Sequence, residues 1–264
     1  MATQPMPTGF GSFSWNQLNT SDLDKAEAFY TKLFGWESKR ATAKGMVAWG
    51  PFSVVKNAGQ EIATIMQMPA GAESQSHWLS YVWVQDIKAS FARMQELGGK
   101  AFVPPRVIPE GSFAVFADPG GALLAMFEQA PPVNASKPAA TGPGTFCWFE
   151  CTTRLDEACI AFYTELFGWT TSSMDMGPAG TYTLFHNRGE QVAGLMPMTG
   201  PEWPADMPAH WMPYVAVANV DETFARVEAC GGQGCVPPTD IPTIGRFAVI
   251  EDGSGGFVSI FKGA

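Results

Sequence analysis

The sequence predicts an α+β protein made of two copies of one domain, each copy consisting of two βαβββ modules. Three observations lead there. The chain repeats itself at a nearly constant spacing. Within each copy the apolar residues switch between the strand period and the helix period in the order β-α-β-β-β, twice over. A Pro-, Ala- and Gly-rich stretch separates the copies.

The repeat is seen in five segment pairs. Gly11-Ser-Phe-Ser-Trp15 corresponds to Gly144-Thr-Phe-Cys-Trp148, and Ala28-Phe-Tyr-Thr-Lys-Leu-Phe-Gly-Trp36 to Ala161-Phe-Tyr-Thr-Glu-Leu-Phe-Gly-Trp169. His77-Trp-Leu-Ser-Tyr-Val82 corresponds to His210-Trp-Met-Pro-Tyr-Val215, Phe91-Ala-Arg93 to Phe224-Ala-Arg226, and Val103-Pro-Pro105 to Val236-Pro-Pro238. Each pair sits 133 positions apart. The offset drops by three at Gly59-Gln-Glu-Ile-Ala63 against Gly189-Glu-Gln-Val-Ala193, so the preceding loops differ in length. It rises by one after Ile241-Pro242, where Phe113-Ala-Val115 meets Phe247-Ala-Val249. The expected organisation is a first domain at 1–130, a linker at 131–143 and a second domain at 144–264.

Within the first copy, Phe13 to Asn19 reads as a strand. Thr20-Ser-Asp22 supplies N-cap candidates for a helix whose apolar residues Leu23, Ala26, Phe29, Tyr30 and Leu33 share one face. Gly35 ends it, as glycine accepts the left-handed conformation there. Met46 to Met68 reads as two or three strands with turns at Gly50-Pro51 and Asn57-Ala-Gly59. His77 to Val84 is a strand, and Ile87 to Leu97 a helix stopped by Gly98-Gly99. Val103-Pro-Pro105 is a rigid strand start. Phe113 to Ala117, the Asp118-Pro-Gly-Gly121 turn and Ala122 to Phe127 form a hairpin.

Composition excludes several classes of function. With 16 basic and 25 acidic residues the net charge is −9, and no Lys/Arg cluster is present. Nucleic acid and anionic membranes are therefore not expected partners. No apolar run approaches the length of a membrane span, and the first residues show no basic patch followed by an apolar stretch. The five cysteines all lie in the second half with no C-x-x-C, which fits reduced thiols and a cytoplasmic location. No glycine-rich loop precedes a helix as phosphate binding needs.

The segment Asp22 to Trp36 resembles the first helix of the glyoxalase / bleomycin-resistance / extradiol-dioxygenase (vicinal oxygen chelate) superfamily, which typically ends Phe-Tyr-x-x-x-Leu-Gly. Phe116-Ala-Asp-Pro-Gly-Gly121 and Ile250-Glu-Asp-Gly-Ser-Gly255 resemble its last hairpin, with an Asp-Pro-x-Gly turn. The resemblance covers nearly the whole chain outside linker and termini, and is to the tandem, actinobacterial glyoxalase-like type. It implies paired modules whose strands curl into an open cup that holds a ligand and, in many members, a divalent metal. The positions matching the family's metal ligands are Trp15, Thr64, Leu79 and Ala125 in the first copy, and Trp148, Gly194, Met212 and Ser259 in the second. None is an imidazole, carboxylate or thiolate, the usual ligands of Zn, Ni, Fe or Mn. No cofactor is expected; the alternative left open is a divalent metal held by Glu150 and His210 and completed by water.

Strand alternation then assigns faces within the cup. Cys147, Phe149 and Cys151 should pack on the helices, leaving Trp148, Glu150 and Thr152 toward the second cup. Trp15, Gln17 and Asn19 should face the first, joined by His77, Leu79, Tyr81 and Trp83; their counterparts are His210, Met212, Tyr214 and Ala216. The last strands add Leu123, Ala125 and Phe127, and Phe257, Ser259 and Phe261. The expected ligand-binding residues are Trp15, Gln17, Tyr81, Trp83, Trp148 and Phe257, with Met46, Met66, Met196 and Met212 nearby. Apolar cups with a few polar groups suit small molecules, and flat rings suit planar ones. The leading expectation is a metal-independent protein, monomeric or homodimeric, that binds a hydrophobic or planar small molecule. The alternative is a glyoxalase-like or natural-product-modifying enzyme, with or without metal assistance, with Glu150 as general base and His210 or Tyr214 as acid or orienting donor.

Overall fold

The computed structural model describes residues 9–41, 50–72, 74–130, 141–177, 180–201 and 203–264. Each copy forms one eight-stranded sheet. The first runs β1 (Phe13–Thr20), α1 (Leu23–Phe34), β2 (Glu37–Ala41), β3 (Phe52–Asn57), β4 (Gln60–Gln67), β5 (His77–Trp83), α2 (Ile87–Glu96), β6 (Lys100–Ile108), β7 (Gly111–Ala117) and β8 (Leu123–Gln129). The second runs β9 (Phe146–Thr153), α3 (Asp156–Phe167), β10 (Thr170–Asp175), β11 (Thr181–Asn187), β12 (Glu190–Pro197), β13 (His210–Ala216), α4 (Val220–Ala225), β14 (Gln233–Ile241), β15 (Gly245–Glu251) and β16 (Phe257–Gly263). The expected linker overlaps 131–140, and Met46 falls in 42–49; both stretches lie outside the described residues.

The strand orders are β2-β3-β4-β1-β5-β8-β7-β6 and β10-β11-β12-β9-β13-β16-β15-β14. Each sheet is thus two βαβββ modules joined by antiparallel pairing of their first strands, β1 with β5 and β9 with β13. The two modules that make a cup therefore come from the same copy. Local signals behave as their chemistry dictates. Asp22 caps α1 by accepting from the Lys25 N–H, and Gly35 closes it at φ 72°. The two prolines of Val103-Pro-Pro105 lie within β6, an edge strand, where the register slips between Val103 and Arg106. An edge bulge tolerates residues that lack a ladder donor.

The helix-facing sides of both sheets share one core. Leu18, Phe29, Tyr30, Trp78 and Val82 join Phe149, Cys151, Phe162, Tyr163 and Trp211 in a single buried cluster. Phe13 of one copy stacks on Phe149 of the other, centroids 3.8 Å apart and 12° from parallel. The exchange is reciprocal at the rim. Trp36 Nε1 donates to the Gly144 carbonyl at 2.8 Å, and Trp169 Nε1 to the Gly11 carbonyl at 2.7 Å. Helices and inner sheet faces are spent on this interface, so the cups lie on the far faces of the two sheets, each with its own small cluster.

Candidate functional site

The second cup is walled by Trp148, Tyr182, Tyr214 and Phe261, with Met174, Met176, Met196 and Met212 packed around them. The strand register brings its central polar group into place. Glu150 on β9 lies between Met212 of β13 and Gly194 of β12, and Trp148 lies opposite Tyr214, which pairs with Ser259. Tyr182 OH donates to Glu150 Oε2 at 2.8 Å, and Tyr214 OH to Oε1 at 3.0 Å. Trp148 Nε1 donates to the Tyr182 hydroxyl at 2.9 Å, which orients that phenol's own hydrogen toward the carboxylate.

Burial dominates the titration of these groups. It raises the Glu150 pKa above the ordinary carboxylate value, against the two phenols, which pull it down. Tyr182 and Tyr214 are pushed well up, by burial first and then by the Glu150 charge, so both stay protonated donors. Among the described residues no Lys or Arg pairs with Glu150. Glu150 is the one residue of β9 that is not fully buried, although burial of its carboxyl is the largest influence on its titration.

His210 lies opposite Thr152, one same-face position along β13 from Met212. Its Nδ1 sits 2.9 Å from the Pro208 carbonyl, which holds the hydrogen on that nitrogen and leaves Nε2 as the lone pair. Burial lowers its pKa, and Glu150 is not among the causes. The carboxylate and the imidazole thus sit at successive same-face positions of neighbouring strands, with no hydrogen bond between them among the described residues.

The first cup repeats this plan with neutral chemistry. Leu79, Tyr81, Val115 and Ala125 form its centre, with Trp15, Phe113, Leu123 and Phe127 around them. Gln17 stands where Glu150 stands, between Thr64 and Leu79. Tyr81 OH donates to Gln17 Oε1 at 3.3 Å, Gln17 Nε2 to Asn19 Oδ1 at 2.7 Å, and Asn19 Nδ2 reaches His77 Nε2 at 3.3 Å. The acceptor for the indole has moved: Trp15 Nε1 donates to Thr64 Oγ1 at 3.0 Å. In the second cup position 194 is glycine, and a Cβ there would fall on the Tyr182 ring. Tyr182 therefore occupies the space that a side chain at 194 would need. Sequence reading missed Tyr182; its signal was the paired exchange of Phe52 and Thr64 for Tyr182 and Gly194 between copies.

Two expected placements differ, Cys147 and Trp83, while Phe257 keeps its expected face. Cys147 belongs to the second cup rather than the helix face, because β9 bulges between Trp148 and Phe146 and shifts the alternation by one. Its thiol contacts the Tyr214 carbonyl at 3.5 Å, and burial pushes its pKa up to about 12. Trp83 is not in the first cup's cluster. It sits at the end of β5 with its ring 5.1 Å from Phe10, lining a groove of about 460 Å³ between the copies beside Phe167 and Arg188. Phe257 lies on the strand face that carries Ser259 and Phe261 but is 42 % exposed, at the rim. The inter-copy groove brings together no buried acid, base or nucleophile, so the candidate site is the second cup.

The family's metal positions line both cups, but Trp148, Gly194, Met212 and Ser259 do not offer a donor set that fits a divalent metal. Among the described residues no three His, Cys, Asp or Glu side chains group so as to hold a metal ion. No helix among them is long and apolar enough to cross a membrane.

Paired βαβββ modules, eight-stranded cups and a tandem repeat define the class. The chain belongs to the Glyoxalase/Bleomycin resistance protein/Dioxygenase superfamily, whose family model matches residues 12–126 and again 149–259. It is 33% identical over 259 residues to "Putative glyoxylase CFP32" of Mycobacterium tuberculosis (strain CDC 1551 / Oshkosh), covering 96% of this chain and 95% of that one. It is 35% identical over 130 residues to the anthracycline biosynthesis protein DauV of Streptomyces sp. (strain C5), covering 46% of this chain and 47% of that one. Among solved structures, the Mn(II)-bound glyoxalase of Novosphingobium aromaticivorans shares the fold, with a TM-score of 0.65 at 13% identity over 97% of this chain and 83% of that one.

Proposed function

We propose that this protein binds a hydrophobic, planar small molecule in the aromatic cup of its second copy, without a metal, with Glu150 as the group that meets the ligand. The observation that carries this reading is the Glu150 carboxylate, held by the Tyr182 and Tyr214 hydroxyls within the aromatic and methionine cluster of the second cup. Rings supply stacking surface, and methionines supply a wall that reshapes around different bodies. Similarity over half the chain to an anthracycline biosynthesis protein supports a planar polycyclic ligand. The first cup, with its neutral Gln17 chain, is a second and different binding surface. The five free cysteines support a reducing, cytoplasmic setting, with the chain acting as a monomer or homodimer.

A second reading is favoured by one observation, the raised pKa of Glu150. A carboxyl shifted toward neutrality is suited to taking a proton from carbon or oxygen. Here Glu150 is the general base, Tyr214 the orienting donor, and His210 a separate acceptor further along the wall. The relative carrying the glyoxylase name supports this enzymatic reading.

Native mass spectrometry of gently purified protein tests both. The expected mass is the bare chain plus an organic adduct. A stoichiometric divalent metal overturns the metal-independent reading. Conversion of the adduct on incubation, lost in Glu150→Gln, selects the enzyme.

A further inference from the structure

We propose that the second cup selects an organic cation, an ammonium or substituted amine carried on an aromatic or hydrophobic body, while the first cup selects a neutral one. This rests on the reading of the cup as a small-molecule site. The first observation is a charge without a partner. Each Glu150 oxygen accepts one phenol, at 2.8 and 3.0 Å, and a carboxylate oxygen can accept two hydrogen bonds, so one acceptor site on each oxygen stays free. No Lys or Arg among the described residues fills those sites. A carboxylate desolvated in this way is unfavourable until a counter-charge arrives.

The second observation is what surrounds it. Tyr182 and Tyr214 meet the carboxylate through their hydroxyls, Trp148 and Phe261 belong to the same cluster, and aromatic faces attract cations through their quadrupoles. Four methionines add polarisable sulfur that accommodates a substituted nitrogen. The two phenols cannot serve as ligand-binding anions, because burial and the Glu150 charge keep them protonated. The net charge of −9 draws a cation toward the protein before it docks.

The third observation is the control built into the chain. At the same register position the first cup carries Gln17, which has the shape of Glu150 without its charge. That amide accepts from Tyr81 and donates to Asn19 and Met66 Sδ, and it carries no charge. The chain itself therefore shows that this fold accepts either residue at the cup centre, and among the differences between the cups this exchange is the one that changes charge.

The experiment uses the full chain and two probes of similar shape, benzyltrimethylammonium and the uncharged benzyl tert-butyl ether, titrated calorimetrically up to millimolar concentration. Glu150→Gln, Gln17→Glu and Trp148→Ala are compared with the parent, each checked for fold by circular dichroism. The parent is expected to bind the cation at least tenfold more tightly than the ether. Glu150→Gln should reduce that preference to within twofold, and Gln17→Glu should create a second cation site. Cation binding by the parent should weaken as pH falls and Glu150 takes a proton, whereas ether binding should not. Equal binding of both probes by the parent, sensitive to Trp148→Ala, overturns the cation proposal and leaves the cup as a binding site. Binding of neither probe overturns both. A cation preference that survives Glu150→Gln also overturns the proposal, since the charge would then be read elsewhere.

Discussion

The Tyr163 phenol donates to Asp118 Oδ2 at 2.8 Å, from a helix of the second copy to a hairpin turn of the first. Trp211 Nε1 in turn donates to that phenol at 2.7 Å, and Cys151 Sγ approaches the same carboxylate oxygen at 3.8 Å. All are buried, so the copies are joined by a polar chain inside a shared apolar core. The counterpart is not symmetric. Trp78 Nε1 donates to Tyr30 OH at 2.9 Å, and the Asp252 carboxyl influences that phenol, but Asp252 Oδ2 is buried without a bond of hydrogen-bond geometry among the described residues, and Leu18 replaces Cys151.

Tyr163→Phe should therefore cost about 1.5–3 kcal/mol, the worth of a buried hydrogen bond to a charged group. Tyr30→Phe should cost measurably less, because Asp252 influences that phenol from outside hydrogen-bond geometry. Paired urea denaturation curves check the order; equal losses would show that the two locks are equivalent.

Trp148→Ala should weaken ligand binding at least tenfold while leaving the far-ultraviolet circular dichroism spectrum intact. The indole belongs to the second cup's own cluster, outside the core that joins the sheets. Its loss also frees the Tyr182 hydroxyl. Unfolding of this variant would place Trp148 in the structural core instead.

Glu150 imposes a pH dependence whose sign follows from its raised pKa. Between the ordinary value near 4.5 and the raised value, the folded state holds a proton that the unfolded state has released. Stability falls as pH rises through that window. Glu150→Gln removes the effect, so the variant should gain on the parent in melting temperature as pH is raised from 4.5 toward neutrality. His210 works oppositely: its lowered pKa makes stability fall as pH drops below about 6.5, so the comparison is made between variants at each pH.

Dialysis against EDTA should leave the melting temperature unchanged. The side chains at the family's metal positions in the second cup are indole, hydrogen, thioether and hydroxyl. A drop of several degrees that added Mn²⁺ or Zn²⁺ restores would overturn this.

The repeat, the helix ends and the outline of the cup were legible in the sequence, because each rests on local chemistry. Asp22 and Gly35 bound a helix wherever that helix packs. Strand alternation placed Gln17 with Tyr81 and Glu150 with Tyr214, since diagonal neighbours on one face of paired strands are within reach of a long side chain. The strands Glu37–Ala41 and Thr170–Asp175 were not legible, as these largely exposed segments carry no apolar alternation to read. Tertiary structure alone decided the rest. The bulge at Cys147 moved that thiol to the cup, and the empty space at Gly194 admitted Tyr182 to the carboxylate. The helix faces of both copies merged into one core through Phe13 and Phe149 and the Tyr163–Asp118 link. The physical reason is the same in each case. A residue's type and its spacing along the chain fix which face it presents, while the partner that meets that face comes from chain hundreds of atoms away and is set by packing.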